Sequence, residues 1–264
     1  MNLKTRLDDV RAEYLRRLSP TDDTSLLAQI EQHITARMGK MLRPQLLLAA
    51  DTLGQADSPR TTLLAVAVEM LHNASLLHDD VIDHDDTRRG QPSANARFGN
   101  TAAVLAGDYL LAQVMTILHQ VDDRDAALLV NRTVTTMVQA ELLQLQVNEE
   151  RKMKNEESSV ASADSSFFTL NSSLYMKIID GKTASLFACA CALGNPLYYD
   201  FGLHYGRLFQ LRDDIADHED NPFTANLIEQ ETAALAAIKN HLPIHNKTVM
   251  SYELIKETHQ SIRK

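Results

Sequence analysis

Helical periodicity constrains the fold of this chain more than any other feature. Apolar residues recur near a 3.6-residue period through 60–84, 101–118, 123–148, 167–193 and 196–219. No stretch shows the apolar–polar alternation of a half-buried strand. Leu3, Leu7, Val10, Tyr14 and Leu18 give the first segment the same spacing of fours and threes. Pro44 opens a run that closes at Gly54, and Asn195 with Pro196 marks another helix start. The stretches 224–242 and 247–263 read as a closing helix pair, and the polar, serine-rich residues 148–166 as a loop. Without a repeat or a linker, the expectation is a single all-α domain over residues 1–264, long enough to bury a sizeable core.

The formal charge of −9 argues against nucleic acid as a partner, since phosphate backbones favour basic surfaces. Cys189 and Cys191, the only cysteines, point to different sides of a helix. They read as buried thiols in a reducing cytoplasm rather than a disulfide or metal site. The first fifteen residues lack an apolar stretch suited to a signal peptide, and no run approaches the ~20 apolar residues of a membrane span.

Against that background HDDVIDHDDTRRG, residues 78–90, stands out for its charge. Asp79, Asp80 and Asp83 close an apolar helical run, and Asp79 and Asp83 share one face, one turn apart. Carboxylates held so close repel unless they are protonated or bridged by a cation, and hard oxygen donors suit magnesium. The pattern recurs far along the chain in FQLRDDIADH, with Asp213, Asp214 and Asp217 at the same spacing. Either motif alone is also what a solvated helix face presents; two in the same context are harder to explain that way. Arg88 and Arg89 follow the first motif, and GKMLRP supplies Lys40 and Arg43. Metal-binding carboxylates beside basic groups are what a diphosphate needs, although single basic residues also serve as surface charge.

These segments resemble the trans-polyprenyl diphosphate synthases of the polyprenyl synthetase family. The matching pieces, in the family's order, are GKMLRP (39–44), residues 69–100, LAGDYLLAQ (105–113), AELLQLQ (140–146), GKTASLFACACALG (181–194) and FQLRDDIADH (209–218). The resemblance implies an antiparallel helical bundle of the type I isoprenoid synthase kind, acting as a homodimer. It further implies that Asp79, Asp80, Asp83, Asp213, Asp214 and Asp217 hold Mg2+ ions bridging an allylic diphosphate. Lys40, Arg43, His72 and Arg89 match positions that hold isopentenyl diphosphate; Arg88, Lys182, Thr183 and Gln210 match those at the allylic diphosphate. Lys182, Arg88 and Gln210 are the residues expected to assist its departure. Ala74 and Ser75 match positions lining the pocket into which the product grows; both are small, so a product longer than farnesyl diphosphate is expected. His72 on an apolar helix also suits a hydrogen-bonded core residue, and Thr183 and Gln210 also suit helix packing. Glu141 and Gln144 read as structural hydrogen-bonding groups, and His78 and Asp85 as rim residues.

One segment departs from the family pattern. After Asp217 the chain passes almost directly to its final helices, without the lysine-containing loop expected to close over the site. This keeps open a non-catalytic partner subunit of the same fold. A class I terpene cyclase shares the first aspartate motif but has a different second one. An HD-type phosphohydrolase fits poorly, because His72, His78 and His84 are six apart and cannot meet on one helix face.

Overall fold

In the computed structural model the apolar periodicity becomes a succession of helices. The structure describes residues 2–18, 24–36, 38–51, 58–157, 172–216 and 224–241. Their contacts gather into two compact units, Met1–Ala127 with Leu193–Pro196, and Leu128–Ala192 with Leu197–Lys264.

The first unit contains α1 (Leu3–Leu18), α2 (Leu26–Thr35), α3 (Leu42–Ala50), α4 (Pro59–Ile82), α5 (Ala94–Phe98) and α6 (Asn100–Val121). Helix α4 is its axis and packs against α6, α3 and α1. Every residue from Leu64 to Leu71 is buried, and all but Glu69 are apolar, as expected of a helix enclosed on all sides. Each large apolar side chain so buried contributes about 1.5–3 kcal/mol. Pro59 starts α4, where its missing N–H is not needed. Helix α6 presents Ala103, Ala106, Gly107, Leu110, Val114 and Ile117 to the interior. A Cβ at Gly107 would lie 2.2 Å from His78 Nε2, so the glycine lets α6 approach α4.

The second unit continues α7 (Arg124–Glu157) and adds α8 (Ser172–Ile179), a π-turn (Asp180–Ala184), α9 (Ser185–Gly194), a 3-10 turn (Pro196–Tyr198), α10 (Tyr199–Ala216) and α11 (Thr224–His241). Phe187 packs on Tyr205 and Phe209, with ring centroids 5.5 and 5.3 Å apart. Tyr175, Ile179 and Leu211 form a further apolar cluster with Leu227 and Ile228 of α11. Cys189 and Cys191 are buried free thiols, and burial pushes the Cys189 thiol up to about 11.

Four features differ from the sequence expectation. Residues 87–92 form a two-residue-per-strand hairpin, β1 (Thr87–Arg88) and β2 (Gln91–Pro92), too short for an alternation to register. Helix α7 runs on to Glu157, so the first part of the expected 148–166 loop is helical; residues 158–166 lie outside the described residues. The single helix expected over 167–193 is interrupted by the π-turn, which leaves apolar periodicity almost unchanged. Finally, α6 is by length and composition long and apolar enough to cross a membrane, against the expectation that no run would be. Its apolar positions include the face packed on α4. Gly54, Asp217 and the stretch 247–263 lie outside the described residues.

Candidate active site

The first acidic cluster forms where α4 ends. Asp83 is the C-cap of α4, and its N–H donates to Asp79 O at 2.8 Å, so these two carboxylates lie one turn apart. Asp80 points elsewhere and is 3% exposed. Arg88 on β1 donates to Asp80 Oδ1 through Nε at 2.8 Å and also through Nη2, and Nη2 reaches Asp85 Oδ2 at 3.0 Å. Burial raises the Asp80 pKa, the Arg88 contact opposes that, and the neighbouring charges of Asp85 and Asp83 raise it further. Ser93 and Asn95 pin the connecting turn: Ser93 Oγ donates to Asp85 O at 2.6 Å, and Asn95 Nδ2 to Asp80 O at 3.0 Å.

The basic groups gather on the same unit. The hairpin turns through Arg89 (φ 52°) and Gly90 (φ 71°), both left-handed as a two-residue loop of the right twist requires. That turn brings the Arg89 guanidinium onto Gly39, where a Cβ would lie 2.7 Å from Nη2. The two basic segments therefore meet, with Lys40 exposed beside the contact. Met41 (φ 53°) and His84 (φ 58°) are also left-handed, so strained backbone flanks both segments, a pattern common at functional sites. Burial, then the charges of Arg43, Arg89 and Arg88, hold the His72 pKa well below its usual value. Glu69, one turn before His72 and 2% exposed, has its pKa raised by burial against the pull of Arg43, Arg89 and Arg11. Sequence reading missed Glu69; a glutamate inside an otherwise apolar run was the available signal.

In the second unit, Lys182 projects from the π-turn and meets Glu141 Oε2 at 2.8 Å and Gln144 Oε1 at 3.2 Å. Thr183 Oγ1 donates to Gln210 Oε1 at 2.8 Å, and Gln210 Nε2 donates to Asp214 Oδ1 at 2.7 Å. Tyr175 OH donates to the other Asp214 oxygen. Thr183, Gln210, Asp214 and Tyr175 thus form one connected chain of hydrogen bonds, with Asp213 beside it. Tyr175 had no sequence signal, since its partner is far along the chain.

The remaining expected residues divide. Ala74 is buried and Ser75 half-buried, its Oγ bonded to His72 O. A cavity of about 70 Å³ touches Asn73, Leu76, Leu77 and Asp80 but neither Ala74 nor Ser75. The three histidines have separate surroundings: His72 among arginines, His78 at Val104 O (3.1 Å), and His84 exposed.

Among the described residues no three acidic, histidine or cysteine side chains sit together as a metal cage. The donor chemistry nevertheless fits Mg2+, which typically takes one or two carboxylates and completes its shell with substrate phosphate and water. Asp79 and Asp83 offer that pair on one face of α4, while Asp80 is engaged by Arg88.

A family model, Polyprenyl synthetase, matches residues 24–229. The chain belongs to the polyprenyl synthetase family. A relative from Rhodobacter capsulatus, an all-trans-nonaprenyl-diphosphate synthase (geranyl-diphosphate specific), is 32% identical over 210 residues, covering 76% of this chain and 59% of the relative. The chain spans about three fifths of the length of the curated relatives it matches. A decaprenyl diphosphate synthase structure from the same organism superposes with TM-score 0.70 at 25% identity, covering 98% of this chain and 86% of that one. A Caulobacter crescentus polyprenyl synthase, solved with calcium and isoprenyl diphosphate, gives TM-score 0.67 at 26% identity, covering 97% and 82%. The all-α isoprenoid synthase fold follows from these matches.

Proposed function

We propose that the chain is a prenyltransferase that condenses isopentenyl diphosphate with an allylic diphosphate to make a longer polyprenyl diphosphate. The observation that carries this reading is the arrangement at the end of α4: paired carboxylates, Asp79 and Asp83, with Arg43, Arg88 and Arg89 gathered around His72. That mixture suits an anion that arrives with a divalent cation, as a diphosphate does.

Mg2+ held by Asp79 and Asp83 in the first unit, and Mg2+ held by Asp213 and Asp214 in the second, would supply positive charge to the departing diphosphate. Asp80 fixes Arg88, and Gln210 and Thr183 orient the turn carrying Lys182, so that these donors meet charge as it develops on the leaving oxygen. The allylic carbon–oxygen bond breaks with its electron pair going to the diphosphate. Lys40, Arg43, His72 and Arg89 hold the isopentenyl substrate, whose double bond attacks the allylic cation. A proton then leaves the adjacent carbon for the released diphosphate. Apolar helices exclude water that would otherwise capture the cation.

The working form in this reading is a cytoplasmic homodimer. Large apolar side chains left exposed on α6 (Leu105, Met115) and on α7 (Val138, Leu142) support association with a second copy. The decisive assay is incubation of the protein with isopentenyl diphosphate, several allylic diphosphates and Mg2+, with chain-length analysis of the product. Elongated product is expected; folded protein that makes none with any primer would instead favour a non-catalytic partner subunit.

A further inference from the structure

The π-turn that carries Lys182 is anchored by charged residues outside the groups assigned above. Asp180 opens the turn, and its backbone carbonyl accepts the Ser185 N–H bond that defines the π register. Its carboxylate is gripped by Arg207 of α10, through Nε at 2.5 Å and Nη2 at 2.8 Å. Behind Arg207, Nη1 lies 3.4 Å from Glu231 Oε1 on α11. The other Glu231 oxygen is 2.5 Å from His204 Nδ1, and the Glu231 side chain is 8% exposed. On the opposite side, Gly181 is wedged against α7, where an added Cβ would lie 2.4 Å from Ala140 Cβ. Ser185 Oγ donates to Gly181 O at 2.7 Å, satisfying a carbonyl at the turn.

A π-turn amounts to one extra residue in an α-helix, is rare, and recurs at functional sites. Relaxing it into α register would rotate the following residues by about 100° around the axis. Lys182 would then leave Glu141 and Gln144, and Thr183 would leave Gln210. Holding the register needs a contact at the turn's first residue, and the two-pronged Arg207–Asp180 pair is one. We propose that Arg207, backed by Glu231, is a positioning residue that acts through Asp180 to hold Lys182 and Thr183 where they meet the allylic diphosphate. This rests on the reading of Lys182 as a diphosphate contact.

The test is a double-mutant cycle, Arg207→Gln made in the parent and in Lys182→Ala, with steady-state kinetics and thermal melting of each. Arg207→Gln should lower kcat roughly 10–100-fold, as small misplacements of reacting groups do, and leave KM for isopentenyl diphosphate unchanged. Arg207→Lys, which keeps the charge but not the fork, should recover part of that loss. In Lys182→Ala the same Arg207→Gln change should cost several-fold less than in the parent, because the share of the loss that runs through Lys182 is already gone and only the share through Thr183 remains. Equal losses in both backgrounds, or a loss that merely follows melting temperature, would overturn the positioning role. If Arg207→Gln fails to fold, Asp180→Asn breaks the same contact from the other side and carries the same expectations. Full turnover in Lys182→Ala would refute the reading of Lys182, and the positioning role with it. An impaired Lys182→Ala beside a fully active Arg207→Gln would refute the positioning role alone.

Discussion

Arg88 grips the buried carboxylate of Asp80 with two guanidinium nitrogens, one of them at 2.8 Å. The three aspartates that end α4 therefore have different surroundings. Asp79 and Asp83 share a face, whereas Asp80 ties α4 to the hairpin carrying both arginines. Replacing Asp80 with Ala should cost stability, about 1–3 kcal/mol for a broken, largely buried charged hydrogen bond. It should also weaken diphosphate binding by freeing Arg88. Denaturant unfolding checks the first effect; an unchanged midpoint would mean that the Asp80–Arg88 contact contributes nothing to the fold.

Asp79→Ala and Asp213→Ala should behave in the opposite way. In the proposed mechanism each removes a charge that serves the departing diphosphate, so turnover should fall by ~10²–10³-fold or more, the range for removing one transition-state contact. Melting temperatures should stay near the parent's, since both side chains are only partly buried. Kinetics across a Mg2+ titration would check this, and near-normal turnover in both variants would remove the proposed metal centre.

Arg89 and Lys40 belong to the isopentenyl side of this account. Neutralising either should raise KM for isopentenyl diphosphate by about 10-fold or more, with a smaller effect on the allylic substrate, because one charge-assisted contact is lost at one subsite. Initial rates with each substrate varied in turn would show it. Equal losses for both substrates would mean that the subsites are wrongly divided.

Product length tests the small residues on α4. Ala74→Phe or Ser75→Phe should shorten the product, which in the parent should exceed farnesyl diphosphate. The cavity beside α4 touches neither residue, although it is lined by their neighbours Asn73, Leu76 and Leu77. Chromatography of the dephosphorylated products decides; unchanged lengths in both variants would place the tunnel elsewhere.

Glu31 supplies a pH prediction independent of the site. It is 4% exposed, neither of its carboxylate oxygens has a hydrogen-bond partner, and burial raises its pKa from 4.5 to about 7. Below pH 4.5 it is protonated in both folded and unfolded chains and costs nothing. As pH rises toward 7 the unfolded chain releases the proton first, so the folded state loses about 3 kcal/mol. Glu31→Leu should remove that loss, so its stability relative to the parent should improve from pH 5 to pH 8. Parallel stability curves for the two proteins would contradict it.

The helices were legible because burial in an all-α protein imposes the 3.6-residue period directly, and the first aspartate motif ends α4 as that reading expected, while Asp213 and Asp214 lie within α10. The π-turn was not, because a single inserted residue shifts the apolar stripe without abolishing it. Nor was the hairpin, whose strands are two residues each. At the site, residue types were readable but partners were not. Asp80 looked equivalent to Asp79 in sequence, and only its position around the helix gives it to Arg88. Glu141 and Gln144 were expected as structural hydrogen-bonding groups, yet the group they hold is Lys182. Tyr175 and Glu231 depend on contacts between distant segments, which no local pattern encodes.

The most direct measurement is the ratio of inorganic diphosphate released to isopentenyl units incorporated, followed with a labelled isopentenyl diphosphate, an allylic primer and Mg2+. One diphosphate released per unit incorporated is expected, and neither release nor incorporation once the metal is chelated. Release that proceeds without isopentenyl diphosphate would point to cyclisation or hydrolysis, and would contradict the assignment of the chain as an elongating prenyltransferase.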